Sequence, residues 1–274
     1  MSETDELTFG DDREPWLRPW IRAHQRTAAT VMVAVLLVAA LGGGGWYLHR
    51  RSLLPSPPPV GALPVVDGFT VTLCTEGTQG CPEGTAERVL ALVRRIPEAV
   101  APTLVPADEV ERRWAQRVII DEGLAKPREA SWIPQIEAGL RGPADYDAVR
   151  RGLAGEPGIL LMPRLPSFWQ GKADLSVVMC ARRQQYPACQ AAATEAQRDA
   201  VVARLRELEG VAEVFLQDKP FGLRLSRLYQ SDVPLTIDAV SEMLYVRFDD
   251  PARARAVGQE MLRMPGVGWS QLIK

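Results

Sequence analysis

The sequence predicts an α+β fold, in which two tandem modules of sheet and helix follow a single transmembrane helix. Three observations lead to this prediction. Residues 27–48 contain no Asp, Glu, Lys, Arg or His, two close pairs of cysteines lie beyond them, and a pattern of strands and helices recurs at an offset of 108 residues. The apolar run predicts the membrane helix, the cysteines indicate an oxidising compartment, and the recurrence indicates a duplicated module.

The apolar run extends from Thr27 to Leu48 and holds 22 residues. At about 1.5 Å of rise per residue, such a helix reaches roughly 33 Å, which exceeds a hydrocarbon core of about 30 Å. A buried soluble helix is usually shorter and has a polar face, and a cleaved signal has a shorter apolar run. Arginines are more numerous before the run than after it, which predicts a cytoplasmic N-terminus and an extracellular C-terminus in the cell membrane.

The segments on either side of this helix have distinct compositions. Residues 1–26 are acidic with few aliphatic side chains, so we expect a disordered cytoplasmic tail. Residues 49–66 include SLLPSPPPVGALP, whose prolines favour an extended, semi-rigid extracellular stalk. A ligand for a proline-binding domain is the alternative for this stretch. The net charge of −2 and the lack of a basic run outside the membrane flank argue against nucleic-acid binding.

Four cysteines form two close pairs in the predicted extracellular part: Cys74 with Cys81, and Cys180 with Cys189. An even number of paired thiols in an exported domain predicts two disulfides. A zinc site needs about four ligands, yet both histidines, His24 and His49, flank the membrane helix. We therefore predict neither a metal site nor a cofactor.

The cysteines mark the start of the repeat. Each first cysteine ends a β-rich run, FTVTLC at 69–74 and LSVVMC at 175–180, and each second cysteine precedes an amphipathic pattern. The first helix should open at Thr85, and the second has a capping-box pattern in Thr194 and Gln197. Each helix leads into a short apolar strand, VAPTLV or VAEVFL.

The carboxyl halves of the two units align without a gap, so that Pro143 matches Pro251. Both follow the order strand, proline at the first helical turn, amphipathic helix, Pro-Gly stop and strand. Two unrelated segments could share this order by chance, but the joint recurrence of strands, cysteines, helices and prolines favours duplication.

Each unit reads β-α-β, a helical insert, and β-α-β. Without the insert, this is the split β-α-β pattern of ferredoxin-like modules, with helices on one face of a mostly antiparallel sheet. We expect such modules at 67–166 and 173–274. The split β-α-β pattern does not require the two inserts, which are Ala107 to Ile133 and Lys219 to Glu242.

Catalysis is not predicted. The predicted ectodomain has no histidine beyond the membrane flank, which excludes Ser-His and Cys-His nucleophile pairs there. A glycosidase would need only two carboxylates about 5 to 9.5 Å apart, but acidic residues beside helix starts are commonly caps. The carboxylates considered are Asp108, Glu109, Glu111, Asp249 and Asp250.

Three stretches carry a family resemblance: DLSVVMC, TEAQRDAVVARLRELEGVAEVFLQDKPFGLRLSRLYQ and SEMLYVRFDDPARARAVGQEMLRMPGVGWS. They resemble the extracellular domain of FtsX, the permease-like cell-division protein, in the form found in high-GC Gram-positive bacteria. Residues 173–273 resemble it directly, and residues 67–165 resemble a diverged copy. FtsX has four membrane helices, whereas this sequence predicts one, so the ATPase partner of that family does not transfer with the resemblance.

The resemblance implies an extracellular binding protein at the cell envelope, because the FtsX domain engages peptidoglycan hydrolases or their adaptors during division. In that family, apolar side chains of the insert meet the partner. The matching positions are Phe221, Leu225, Leu228 and Tyr229 in the second module, and Trp114, Ile119, Ile120 and Leu124 in the diverged copy.

Two alternatives accompany this expectation. The positions in the second module follow helical spacing along one stripe, and such a stripe is often the buried face of its own helix. The ectodomain could also be a sensory or structural unit that binds a small molecule or a peptidoglycan fragment between its modules, since clefts between domains are frequent ligand sites.

Overall fold

The computed structural model describes residues 32–33, 35–36, 54–60, 65–77, 80–119, 132–181, 189–229 and 235–273. The chain divides into two compact units, Met1–Leu53 and Leu54–Lys274. The predicted tail lies outside the described residues, as do all but four residues of the predicted membrane helix, and those four are helical. Within the described ranges, no helix combines the length and the hydropathy needed to cross a membrane.

The first module lies within the compact unit Leu54–Lys274 and contains both strands and helices. Its β1 leads through α1 to β2, as the amphipathic pattern predicts, and its carboxyl half begins at β4. Its elements are β1 (Gly68–Leu73), α1 (Thr85–Arg95), β2 (Ala99–Val105), α2 (Ala107–Arg117), β3 (Val118–Ile119), β4 (Gln135–Leu140), α3 (Tyr146–Gly152), β5 (Ile159–Leu161) and β6 (Arg164–Leu165).

The second module repeats this order and ends with a longer strand. The predicted capping box opens its first helix, because Thr194 accepts from the Gln197 amide while the Gln197 side chain accepts from the Thr194 amide. The elements are β7 (Leu175–Met179), α4 (Glu195–Glu207), β8 (Val211–Gln217), α5 (Lys219–Tyr229), β9 (Met243–Phe248), α6 (Ala254–Met261) and β10 (Val267–Leu272).

The strands form two antiparallel sheets with the same order of equivalent strands. The first sheet runs β2-β4-β1-β5, with β6 also paired to β1, and the second runs β8-β9-β7-β10-β3. Equivalent positions in β4 and β9, and in α3 and α6, lie 108 residues apart, as the alignment predicts. The α+β class and the antiparallel sheets are confirmed, and the strand order is compatible with the split β-α-β pattern.

Helices α1 and α3 pack on one face of the first sheet, α4 and α6 pack on one face of the second, and they build two apolar cores. In the first, Val89 and Val93 of α1 and Val149 of α3 lie against Phe69 and Val71 of β1. The second core has the same design, with α4 and α6 over the strands of the second sheet. Burying each such side chain contributes about 1.5–3 kcal/mol, so these faces hold the helices in place.

Both predicted disulfides are present. Cys74 is bonded to Cys81 and Cys180 to Cys189, with Cα–Cα distances of 5.8 and 5.5 Å. Each bond ties the end of the module's first strand to the loop that leads into its first helix.

Two chain segments cross into the second sheet in ways that the sequence did not predict. The strand β3, which follows α2 in the first module, pairs antiparallel with β10, so that Ile119 lies opposite Ser270. Ser56, from the predicted stalk, forms a parallel bridge with Phe215 at the β8 edge. The first insert is therefore not purely helical, and residues from both modules and from the stalk build one compact unit.

Candidate functional site

The residues matched to the FtsX partner surface in the second module lie on α5, and this helix starts with a side-chain cap. The backbone amide of Phe221 donates to Asp218 Oδ1 at 2.7 Å. Phe221, Leu225 and Leu228 are half-buried, and Tyr229 is buried with 9% of its surface exposed. The predicted stripe therefore exists, but one side of it faces the protein.

The stripe packs onto a group of aromatic side chains that we call the aromatic cluster. Trp169 stacks on Tyr245 with ring centroids 3.9 Å apart, and its indole N–H donates to Gln217 Oε1 at 2.6 Å. Phe168 meets Phe221 edge-on at 5.2 Å. The buried members of the aromatic cluster are Phe168, Trp169, Phe215, Tyr229 and Tyr245, and the buried methyl group of Ala173 packs with them.

The aromatic cluster creates two unusual hydroxyl environments. Burial raises the pKa of Tyr245, whose side chain lies in the interior beneath Trp169. Burial also raises the pKa of Tyr229, and the nearby charge of Arg164 opposes that shift in part. Within the described ranges, the Tyr229 hydroxyl has no hydrogen-bond partner. Burial therefore favours the neutral form of both phenols.

Of the matching residues of the first module, the two that the structure describes, Trp114 and Ile119, contact the second module. The Trp114 ring on α2 lies 4.9 Å from the ring of Trp132 and 5.8 Å from that of Trp269 on β10. Ile119 is only 2% exposed and belongs to the core of the second module. Predicted residues Ile120 and Leu124 lie outside the described residues.

Gly258 explains how Ile119 reaches that core. A Cβ atom at this α6 position would lie 2.2 Å from Ile119 Cδ1 and 2.8 Å from Ser270 Oγ, so only glycine leaves the space open. Arg255, one turn earlier, donates to the carbonyl oxygen of Val118 at 3.3 Å and also to that of Gln116. The helix α6 therefore holds β3 by both shape and hydrogen bonds.

A cleft separates α2 from the face of the first sheet that the other helices leave uncovered. It consists of two adjoining cavities of about 360 and 590 Å³. Trp114 and Trp132 line the smaller cavity, and Thr70 and Gln170 line the larger one. The residues common to both cavities are Arg113, Arg117, Gln135 and Glu137.

The two arginines of the cleft differ in their partners, because Arg113 pairs with carboxylates and Arg117 does not among the described residues. Arg113 bonds Glu109 at 2.6 Å and Glu137 at 2.9 Å, and these hydrogen bonds, that to Glu109 first, raise the pKa of its guanidinium. Arg117 donates through Nε to the Arg113 carbonyl oxygen at 3.3 Å, and it has no carboxylate partner among the described residues. Among the described residues, Arg117 is therefore a cation of the cleft that has no carboxylate partner, and it lies near the aromatic side chains of Trp114 and Trp132.

Three of the carboxylates considered for catalysis have partners of the kind expected for structural residues. Asp250 caps the turn before α6 by accepting from the Ala252 amide, and Asp108 and Glu109 pair with Arg112. Within the described ranges, no group of three or more His, Cys, Asp or Glu side chains could hold a metal ion.

Sequence reasoning missed Phe168 and Trp169, because they lie between the two predicted modules. The signal that could have identified them is two adjacent aromatic residues in a short polar connection, SFWQGK. Large aromatic rings in such a connection usually need a surface to cover.

Comparisons with known proteins do not identify a family. No protein-family model matches the sequence, and no curated protein matches it. Among solved structures, the chain is similar to chlorite dismutase from Candidatus Nitrospira defluvii in complex with imidazole, at 10% identity and a TM-score of 0.24, over 82% of this chain and 94% of that chain. A mutant of that enzyme in complex with cyanide is 10% identical to this chain, with a TM-score of 0.24, over 75% of this chain and 89% of that chain. Likenesses this weak carry no conclusion about fold or activity.

Proposed function

We propose that this chain is a single-pass membrane protein whose extracellular part binds a protein partner at the cell envelope without catalysing a reaction. The partner class is a peptidoglycan hydrolase or a division factor, as the resemblance to FtsX implies. We further infer that each module is ferredoxin-like with an insert after its second strand, in keeping with the shared strand order. Two disulfides support an oxidising, extracytoplasmic location.

One observation supports α5 over α2 as the docking helix. Among the described apolar residues of the first insert, Trp114 contacts Trp269 of the second module and Ile119 is buried in the core of that module. On α5, Leu225 and Leu228 retain part of their surface. The α5 side chains Arg224 and Arg227 are exposed beside them, so we expect an apolar contact flanked by acidic residues of the partner.

Binding assays with the full-length chain in detergent test this proposal. Purified hydrolases and division proteins of the same organism are titrated one at a time. We expect at least one to bind, and we expect Leu225→Ser to weaken that complex about tenfold, which corresponds to about 1.4 kcal/mol. Val100→Ser is the matched control, since Val100 is an apolar residue of β2 with 42% of its surface exposed.

Unfolding curves of both variants separate lost binding from lost structure, because Leu225 also touches the aromatic cluster. Binding is therefore compared at equal folded fraction. Absence of any binding partner, or equal weakening by Leu225→Ser and Val100→Ser, would contradict the proposal.

The cleft supports a second candidate function, which is binding of a peptidoglycan fragment. Aromatic faces suit sugar rings or apolar side chains, and Arg117 suits a peptide carboxylate. Titration with purified muropeptides should change the fluorescence of Trp114 and Trp132. Arg117→Ala should abolish the response to fragments that carry a carboxylate. Identical titrations of the wild type and the variant would exclude this candidate.

A further inference from the structure

The two sheets differ in how their edges are covered. In the second sheet, Ser56 lies along β8, and β3 lies along β10. In the first sheet, the equivalent edges are β2 and β5, and no strand of the described part of the chain covers either one. Unpaired strand edges expose backbone donors and acceptors that can pair with another chain.

The β2 edge is unsuited to pairing. Its register shifts between Val100 and Thr103, Ala101 has a φ of 47°, and Pro102 has no N–H to donate. A bulge and a proline are the usual devices by which natural sheets blunt an edge. Among the described strands of the first sheet, β5 is therefore the edge that remains available.

The β5 edge borders a groove in the place where the second module holds β3. A cavity of about 560 Å³ lies between α3 and β5, and its lining includes Leu153, Leu160 and Met162. In the second module, the space between the equivalent helix α6 and strand β10 is filled by Ile119. Leu160 is 58% exposed, so the first module displays an apolar side chain at its open edge.

The side chain of Tyr146 sets the extent of the open edge. Tyr146 stands where the second module has Ala254, and its hydroxyl donates to the carbonyl oxygen of Met162. This hydrogen bond occupies the position equivalent to Ser270, the residue opposite Ile119. The available stretch is therefore Ile159–Leu161.

The groove also has a charge preference. Arg151 donates through Nε to the Asp147 carbonyl oxygen at 3.2 Å, and it is exposed. It makes no ion pair among the described residues. An acidic side chain on an incoming segment would satisfy it.

This edge is continuous with the docking surface proposed above. The strand β6 follows β5 along the same side of β1, and α5 contacts β6. Leu165 of β6 is 36% exposed between the two. A single partner could therefore touch α5 and β5 together.

From these observations we propose that β5 accepts an extended strand of the protein partner. The inference rests on the proposed partner-binding function. The incoming segment pairs with Ile159–Leu161, places an apolar side chain in the groove beside Leu153, and directs an acidic residue towards Arg151. Backbone pairing supplies affinity and the groove supplies selectivity, as in other cases of strand addition.

Site-specific photo-crosslinking of the full-length chain in its own cell membrane tests the inference. A benzophenone amino acid replaces Leu160, Leu225 or Val100 in turn, and the crosslinked peptide is identified by mass spectrometry. We expect Leu160 and Leu225 to crosslink to the same partner, and Val100 to give no adduct. The segment caught at Leu160 should contain an acidic residue next to an apolar one.

Titration of that synthetic segment against the purified full-length chain then measures the contribution of the edge. Leu160→Lys, which adds a charge to the edge, should weaken binding at least about tenfold, and Val100→Lys should leave it unchanged. Crosslinking at Leu225 without Leu160, or equal binding by Leu160→Lys and the wild type, would overturn the strand inference but preserve the proposed function. Absence of adducts at both sites would overturn both.

Discussion

The inserts of the two modules occupy equivalent places in the fold, yet they are used differently. Helices α2 and α5 are each 11 residues long and start at equivalent positions. Helix α2 buries none of its own residues and is followed by β3, which pairs with the second sheet. Helix α5 buries Gly222 and Tyr229 over its own module. One insert therefore joins the two modules, and the other covers a face of the second sheet.

The outward-facing side chains of the two sheets, on the faces that α2 and α5 overlie, account for this difference. In β4, half-buried Gln135 and Glu137 alternate with buried Ile136 and Ala138, so the outward face of the first sheet tolerates water. In β9, the outward residue Tyr245 is buried beneath Trp169. A polar face can remain a cleft, whereas an aromatic face needs a cover.

Removal of the Trp169 side chain, which covers Tyr245, should produce the largest loss of stability. Trp169→Ala deletes the stack on Tyr245 and leaves Gln217 Oε1 without its donor, so we expect a loss of about 3–5 kcal/mol in the free energy of unfolding. Urea denaturation measures this. Trp132→Ala is the control, because Trp132 is half-buried at the cleft. An equal loss in both variants would show that the cover has no special role.

Separation of β3 from the second module should be the next largest effect. Ile119→Ala should cost about 2–4 kcal/mol, since the side chain is buried. Gly258→Ala should cost about 1–3 kcal/mol through overpacking. The double variant should lose less than the sum, because Ile119→Ala removes the Cδ1 atom that the new methyl group would meet at 2.2 Å. Strictly additive values would contradict this contact.

The disulfides should stabilise the two modules to a similar extent, since they close loops of similar length. The cysteines are separated by 7 and 9 residues. Replacing either pair with serine should lower the free energy of unfolding by about 2–3 kcal/mol, as measured by denaturation under non-reducing conditions. A much larger loss for one pair would indicate that its module unfolds first.

The smallest expected effect is a fall in stability at alkaline pH that depends on Tyr245. Burial raises its pKa above the ordinary value of 10.0, so the folded state favours the neutral phenol. This contribution is fully present below about pH 10 and is lost as the pH rises towards the folded-state pKa. Unfolding curves from about pH 8 to 11 should decline less steeply for Tyr245→Phe. Parallel curves would show that Tyr245 does not carry this dependence.

The local elements were predictable because short-range rules determine them. The capping box at Thr194, the proline turn before α6 and both disulfides were predicted from residue types and their spacing, and all are present. The contacts of the candidate site were less predictable. Spacing placed Phe221 and Tyr229 on one stripe, but it could not distinguish a surface from a face that packs on Phe168 and Trp169.

The sequence by itself determined the repeated order of strands and helices, the cysteine pairs and the helical stripe, because periodicity, caps and turns act between residues close in the chain. Only the tertiary structure decided that β3 joins the second sheet, that Trp169 covers Tyr245 and that no described strand covers the outer edge of β5. These outcomes depend on which surfaces meet after the modules form. The space left by Gly258 beside Ile119 exists only in the folded chain.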